Sequence, residues 1–291
     1  SGIALPVAGT RLPAPRARYA RASGSHLIFA NLTDPEAGWN AIAFSSSEEP
    51  TWFDYQAFVT LDSTEGNPIT GIEATFGRVY MFKRSATWML RFGRGEVPAD
   101  AVVDPINNGV GLGGGVTSYD NVMFGAGERG VYRFDSSNFV PVSRALDGEW
   151  PDLDLTDEGF FQMAGVYDRD HAQYWLGVRL IGDEDKTRVY VMHTALGPQP
   201  VWSKYVVPPY KVLHYYVDPV TQRARVVLGT TSGAILTHDD DRLYDGVWPD
   251  DPGIPNFALI GATTTLQANQ LTISAGTLPI YGLNLGLRGA T

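Results

Sequence analysis

The sequence predicts an all-β protein built mainly as a β-propeller, and three observations carry that prediction. The first is composition: 7 Trp, 14 Tyr and 13 Phe stand beside 32 Gly and 19 Pro in 291 residues, a mix that favours pleated strands joined by many turns over helices. The second is a repeated gesture of turn, strand, turn, strand. Its five versions are "SGSHLIFANL", "TFGRVYMFKRSATWMLRF", "TSYDNVMFGAGERGVYRFD", "YDRDHAQYWLGVRL" and "VDPVTQRARVVLGTTSGAILTHD". Their apolar centres, near Ile28, Tyr80, Met123, Trp175 and Val227, lie 52, 43, 52 and 52 residues apart by subtraction. A period of about 40–50 residues with four short strands per unit marks a propeller blade. The third is that Trp39, Trp52, Trp88, Trp150, Trp175, Trp202 and Trp248 are spread along the chain rather than clustered. A twisted blade buries its faces only against its neighbours, so bulky rings are needed in every unit to fill the wedge.

Taken in order, residues 1–25 carry Arg11, Arg16, Arg18 and Arg21 with no acid, while Pro6, Pro13 and Pro15 discourage a helix. This segment reads as an extended basic arm. Subtracting its four charges from the net −10 leaves −14 on the rest, so the arm is either a bridge to an acidic neighbouring subunit or a solvated leader. Residues 26–255 form the propeller domain. The segments "WNAIAFSSSEEPTWFDYQAFVTL" and "GFFQMAGV" can supply further strands, and the expected count is about five to seven blades. Residues 256–291 are almost uncharged and rich in Thr, Gly and Leu, reading either as strands that close the ring or as the start of a further β element.

Several function classes are excluded or unsupported. Gly109, Gly111 and Gly114 spell GxGxxG, but the residues after them, Val116 to Phe124, are β-branched and aromatic around Asp120-Asn121, so strand, tight turn and strand replace the helix a dinucleotide site needs. The net charge of −10 argues against general affinity for nucleic acid, which needs Lys and Arg to displace counterions. The absence of Cys removes disulfides, thiolate metal sites and a Cys nucleophile. No apolar run reaches the roughly 18 residues of a spanning helix, and the N-terminus lacks a signal-peptide layout. Beginning at Ser1 without Met, the chain reads as a processed product or part of a longer one.

Enzymatic chemistry finds little footing. "SSSEEPTW" and "SSNFVPVS" lack the Asp and Gly of the repeated turns in sialidase-like propellers. No Gly-x-Ser-x-Gly elbow occurs. The histidines His26, His171, His193, His214 and His238 show no zinc spacing. "THDDDRLYDG" and "PDLDLTDEG" are acid-rich but lack the series of a calcium loop, and read as solvated turns. No catalytic residue, cofactor or metal ligand is assigned.

One cluster of residues is more specific. Asp62, Gly66, Ile69, Thr70 and Gly71 fit a turn of the form Asp-x-x-x-Gly-x-x-Ile-Thr-Gly. Phe82, Lys83, Trp88 and Leu90 fit an "FK..s.w.l" hairpin, with Ser85 one position before its serine, and Gly130, Val131, Tyr132, Phe134 and Asp135 fit a "GvyrfdG" strand. In these residues the chain resembles propeller-bearing tail proteins of tailed bacteriophages, of the tail nozzle, tail-tube-end and head-to-tail stabilisation type. The resemblance covers roughly residues 26 to 145, with two departures: "GLGGGV" stands where a Cys is expected, and Ser136 stands where the group has Gly.

The resemblance implies a structural virion component rather than an enzyme. It would form a homo-oligomeric ring with other tail or connector proteins at the DNA exit channel, and would be assembled in the host cytoplasm. DNA would pass without specific binding, along acidic walls that repel phosphate. The alternative is a carbohydrate-binding or carbohydrate-cleaving propeller that recognises a receptor. Phe82 and Trp88 are expected to pack at a blade interface, and the glycine-rich stretch to be the loop between blades, where backbones bend and approach closely.

Overall fold

The computed structural model describes residues 11–12, 14–24, 26–33, 38–45, 53–61, 67–91, 102–108, 110–136, 138–194, 200–217, 222, 224–237, 257–259, 262–267 and 270–274. These residues are overwhelmingly strand. The chain divides into two compact units, Ser1–Glu128 with Phe134–Phe139, and Arg129–Arg133 with Val140–Thr291. The boundaries expected at residues 25 and 255 do not coincide with that division.

In the first unit β1 (Arg11–Leu12), β2 (Ala17–Ser23), β3 (His26–Leu32), β4 (Ala41–Ser45) and β5 (Phe53–Thr60) form a sheet in the order β1-β5-β4-β3-β2. A second sheet runs in chain order through β6 (Gly71–Thr75), β7 (Arg78–Phe82), β8 (Ala86–Arg91) and β9 (Val102–Asn108). Both are antiparallel. Strands β10 (Gly114–Tyr119) and β11 (Val122–Gly127) form a hairpin whose two turn residues, Asp120 and Asn121, have φ of 46° and 57°. That is the two-residue turn matching the right-handed twist of the flanking strands, with Asp and Asn the residue types that tolerate positive φ. The glycines lead into this hairpin and not into a helix, as the sequence required.

Period-two burial builds this unit's core. Ile28 and Ala30 of β3, Ile42 and Phe44 of β4, and Val79 and Met81 of β7 meet Leu61, Ile69, Ile72 and Leu90, with Tyr19, Val59, Ala74 and Trp88 packed against them. Tyr19 belongs to β2, inside the segment expected to be a free arm. That segment is extended, but β2 pairs with β3 from Ala17↔Leu32 to Ser23↔His26, and Arg11 of β1 pairs with Asp54. Within the extended segment expected over residues 1–25, the described strands β1 and β2 thus pair with β5 and β3, Tyr19 being the side chain of β2 that packs against the core, while residues 1–10 lie outside the described residues.

Strands β12 (Gly130–Phe134) and β13 (Phe139–Pro141) carry residues of both units. The second unit then passes through two 3-10 turns, Arg144–Leu146 and Trp150–Asp152, and one short helix, α1 (Asp157–Gln162). The "PDLDLTDEG" run is the cap of that helix. Thr156 Oγ1 accepts the Gly159 N–H at 3.2 Å, Asp154 Oδ1 accepts Thr156 N–H at 3.0 Å, and Asp157 and Glu158 occupy the first turn, where the helix dipole favours acids.

The remaining strands form one continuous sheet: β14 (Ala164–Asp168), β15 (Gln173–Val178), β16 (Lys186–His193), β17 (Val201–Val217), β18 (Ala224–Thr230), β19 (Ile235–Thr237), β20 (Phe257–Leu259), β21 (Ala262–Gln267) and β22 (Gln270–Ser274). Its order is β14-β15-β16-β17-β20-β21-β22, with β18 on β17 and β19 on β18. The 17-residue β17 changes partner along its length, pairing with β16 over Val201–Val206 and with β18 over Val212–Val217, Tyr210 meeting both. Pro208 and Pro209, which have no N–H to give a ladder, sit at the change. Strand β14 also lies against β17 and β18, so the sheet curls into a half-barrel. Its core is Val166, Trp175, Val189, Val191, Tyr210, Leu213, Val226 and Leu228.

Four of the five repeat centres fall on corresponding strands: Ile28 on β3, Tyr80 on β7, Met123 on β11 and Trp175 on β15, each the second strand of its antiparallel run. The fifth does not found a new sheet. Val227 lies on β18, which pairs with the far half of β17, so the fourth and fifth repeats share one sheet. Strand β20 pairs with β17 as well, and the described tail strands extend this same sheet. No helix among the described residues is long and apolar enough to cross a membrane.

Candidate functional site

The residues that carry the resemblance are described apart from Asp62 and Gly66, which lie outside the described residues. In the first unit they form a tied knot. Thr70 donates from N at 2.7 Å and from Oγ1 at 3.2 Å to the Phe82 carbonyl, and Gly71 pairs with Phe82 across β6 and β7. The Ile69 carbonyl accepts Asn31 Nδ2 at 2.8 Å, and Lys83 N closes the β7–β8 turn onto Ala86 O at 2.9 Å. Thr87 Oγ1 reaches the Val110 carbonyl at 3.0 Å, drawing the glycine-rich loop over that turn. Gly111 lies so close that a Cβ there would sit 1.8 Å from Lys83 O. The loop is a close backbone crossing, and it holds no phosphate cradle.

Phe82 and Lys83 are fully buried, and Trp88 is half-buried against the first unit's core. The Trp88 Nε1 is buried and has no hydrogen-bond partner among the described residues. Trp88→Phe removes that orphaned donor along with part of the ring, two opposing effects of about 1–3 kcal/mol each, and is expected to leave stability within about 1 kcal/mol in chemical denaturation.

Gly130 has φ of 137°, and Ser143 Oγ stands 2.2 Å from where its Cβ would be; the same hydroxyl accepts the Val131 N–H at 2.8 Å. Tyr132 is half-buried, and burial, offset in part by Arg129, pushes its phenol pKa up. Phe134 stacks on Phe139 at 4.5 Å and meets Tyr80 edge-on at 5.3 Å. Asp135 Oδ1 accepts the Asn138 N–H at 3.0 Å, and Ser136 between them has φ of 75°. The departure from Gly at Ser136 thus falls on a left-handed backbone that a Cβ disfavours. Ser136→Gly is expected to stabilise by about 1 kcal/mol, read as a raised urea midpoint with unchanged slope.

Of the arm's arginines, Arg11 lies in β1 and the Arg16 carbonyl accepts Thr33 N at 2.9 Å, while Arg18 and Arg21 project from β2 with exposed side chains. Arg21 does find an acid, but within its own chain: Nε is 3.2 Å from Glu73 Oε2. The other oxygen, Glu73 Oε1, accepts Ser118 Oγ at 2.9 Å. Glu73 therefore joins β2, β6 and β10, the first strands of three successive antiparallel runs, which lie side by side. Nothing in the sequence marks Glu73, because its partners lie 52 and 45 positions away.

In the second unit the polar side chains are drawn into networks. Trp175 Nε1 donates to Gln173 Oε1 at 3.0 Å, which turns the Gln173 amide nitrogen toward His193 Nδ1 at 3.2 Å. A neutral His193 then accepts at Nδ1 and donates from Nε2 to Ser203 Oγ, 3.1 Å away. This is the wrong tautomer for a base that would take the serine proton, so the Ser203–His193 pair is a structural link across β16 and β17. Buried Asp168 accepts the Asp170 N–H at 3.1 Å and faces His171 Nδ1 at 2.8 Å, pinning the β14–β15 turn. Glu149 accepts Tyr190 Oη at 2.8 Å and Lys204 Nζ at 2.8 Å. Burial, then the hydrogen bond to Glu149 and its charge, hold the Tyr190 phenol well above its usual range. Among the described residues no group of His, Asp and Glu is placed to hold a metal ion.

No protein-family model and no curated protein matches this chain. Among solved structures, it is similar to the extracellular domain of a protein assigned as a one component system in B. thetaiotaomicron, at 10% identity and a TM-score of 0.25. The alignment covers 76% of this chain and 39% of that one. A likeness at that level establishes neither a shared fold nor a shared role.

Proposed function

We propose that the chain is a structural component of a bacteriophage tail, of propeller type, that assembles as a ring at the DNA exit channel of the virion. One observation carries the propeller part of this reading: the neighbouring first strands β2, β6 and β10, tied through Glu73, are arranged as the inner strands of successive blades are arranged around an axis. The structural role is supported by where the chemistry-bearing groups go. The motif residues tie turns together, and His193, Ser203, Asp168 and Glu149 are engaged in networks that hold strands in register.

The channel surface differs from a simple acidic wall. On the first strands Ser118 lies with the paired Arg21 and Glu73. A neutral hydroxyl and a neutralised ion pair lower sticking to phosphate by offering no unpaired cation there, and the excess acid of the chain supplies long-range repulsion. The test is the native mass of the purified chain by sedimentation, followed by electron microscopy of the assembled species. Closed rings with a central opening are expected. A chain that stays monomeric, or that forms only closed dimers, overturns the ring reading.

A further inference from the structure

The two ladders of β17 break at one point. Between β16 and β17 the register shifts from Lys186 to Arg188, and between β17 and β18 it shifts from Tyr210 to Val212. Lys186 and Thr230 both lie opposite Tyr210, so the shifts coincide. Lys211 has no cross-strand partner in either register, and Pro208 and Pro209 have no N–H to give a ladder. Beyond that point residues 212–217 pair with β18, which pairs in turn with β19. Strand β14 lies against β17 and β18, yet among the described residues it forms a ladder with β15 alone. Swinging residues 212–217, β18 and β19 away from β14 therefore breaks side-chain packing but no ladder.

Side chains span the break. Lys186 Nζ donates to the Lys211 carbonyl at 2.8 Å, Tyr210 Oη donates to the Arg188 carbonyl at 2.9 Å, and Lys211 Nζ pairs with Asp185. Lys186 is buried, and the charged groups acting on it are Lys211 of β17, Asp185 of the β15–β16 turn and Arg179 beside the end of β15. Two of these are cations, and the one acid is engaged by Lys211. The Tyr210 ring, 5.3 Å from Nζ, stays neutral, burial holding its phenol well above the usual range. Drawing Lys211 outward hydrates the Lys186 ammonium, so movement at this point relieves the cost of burying it. We infer that the far half of β17 with β18 and β19 is a flap hinged at residues 208–211, and that its opening is coupled to uptake of a proton by Lys186. The inference stands apart from the ring reading. In the closed corner burial, then the charge of Lys211, lowers the Lys186 pKa from 10.5 to about 8, and hydration on opening returns it toward 10.5. Between these values the open form holds a proton that the closed form lacks, so rising pH closes the flap. Below pH 8 both forms are charged, and opening is at its greatest and independent of pH.

The chain has no Cys, so a single introduced thiol reports on its own surroundings. Val226 of β18 and Val191 of β16 are fully buried in the same core, one on the flap and the other on the side that stays. Val226→Cys and Val191→Cys of the full chain are labelled with a thiol reagent under native conditions, each rate being divided by that of the same variant unfolded in urea at the same pH. Val226→Cys is expected to label about tenfold faster or more than Val191→Cys, as a local opening precedes the global one. Its normalised rate is expected to fall by about 30-fold or more from pH 8 to pH 10.5. With Lys186→Met added, that fall is expected to vanish. Melting curves check that each variant is folded, and Leu228→Cys, also buried on β18, takes the place of a Val226→Cys that is not. Equal rates at the two thiols overturn the hinge, because the region then opens only with its whole unit. A rate at position 226 that does not fall with pH, or that falls equally in Lys186→Met, overturns the coupling to Lys186.

Discussion

Gly111→Ala is expected to destabilise the first unit by about 3 kcal/mol or more, the range of severe overpacking. The added methyl would lie 1.8 Å from Lys83 O and 2.8 Å from the carbonyl carbon and oxygen of Arg84. These are backbone atoms, so no rotamer change makes room. Lys83 N is bonded to Ala86 O and its neighbour Phe82 accepts twice from Thr70, so the turn is held from both sides and the loop has to lift instead. Lifting the loop strains the Thr87 Oγ1 bond to Val110 O and uncovers Leu112, which is fully buried. The melting temperature is expected to fall by about 6–12 °C. Gly148→Ala is the control, because nothing lies within 4 Å of a Cβ built there. A Gly111→Ala protein that melts with the parent would show that the crossing is looser than described.

The second large effect concerns Lys186, which is buried with its Nζ donating to the Lys211 carbonyl at 2.8 Å and lying 5.3 Å from the Tyr210 ring centre. Burial first, then the charge of Lys211, lowers its pKa from 10.5 to about 8, with Asp185 opposing. Between these values the unfolded chain binds a proton that the folded chain does not, so stability rises with pH from about 8 to about 10.5. Below pH 8 the penalty is present in full. Lys186→Met removes it while keeping a similar shape, so the variant is expected to gain most over the parent at neutral pH. The gap should shrink by about 3 kcal/mol as pH rises through that window. Tyr174, Tyr190 and Tyr210 act the opposite way: burial raises their pKa, they hold protons that the unfolded chain loses above pH 10, and stability falls there in both proteins. Urea titrations of the pair at several pH values isolate Lys186, and a gap independent of pH would refute the buried, destabilised ammonium.

How much was legible in the sequence differs from element to element. The Asp120-Asn121 turn, the strand character of residues 114–119 and 122–127 beyond the glycine-rich loop, and the second-strand positions of Ile28, Tyr80, Met123 and Trp175 were readable because each depends on local backbone preference or on period-two burial. Residues 17–23 were readable as extended but not as paired, since prolines and arginines describe the conformation of a segment and not its partner. The His193–Ser203 link, the Glu73 bridge and the buried ammonium of Lys186 had no local signal, because each depends on which strands a register brings together.

By itself the sequence determined that this chain is all-β, that its glycine-rich stretch is a loop between strands, and that its repeats recur at blade-like spacing, all properties set by neighbours a few positions away. Only the tertiary structure decided that the fourth and fifth repeats share one curled sheet. The 17-residue β17 exchanges β16 for β18 along its length near Pro208-Pro209. Strand pairing is a contest between distant segments for the same backbone edges, and its outcome depends on the curvature of the sheet and on the core it encloses, neither of which any short stretch of sequence contains.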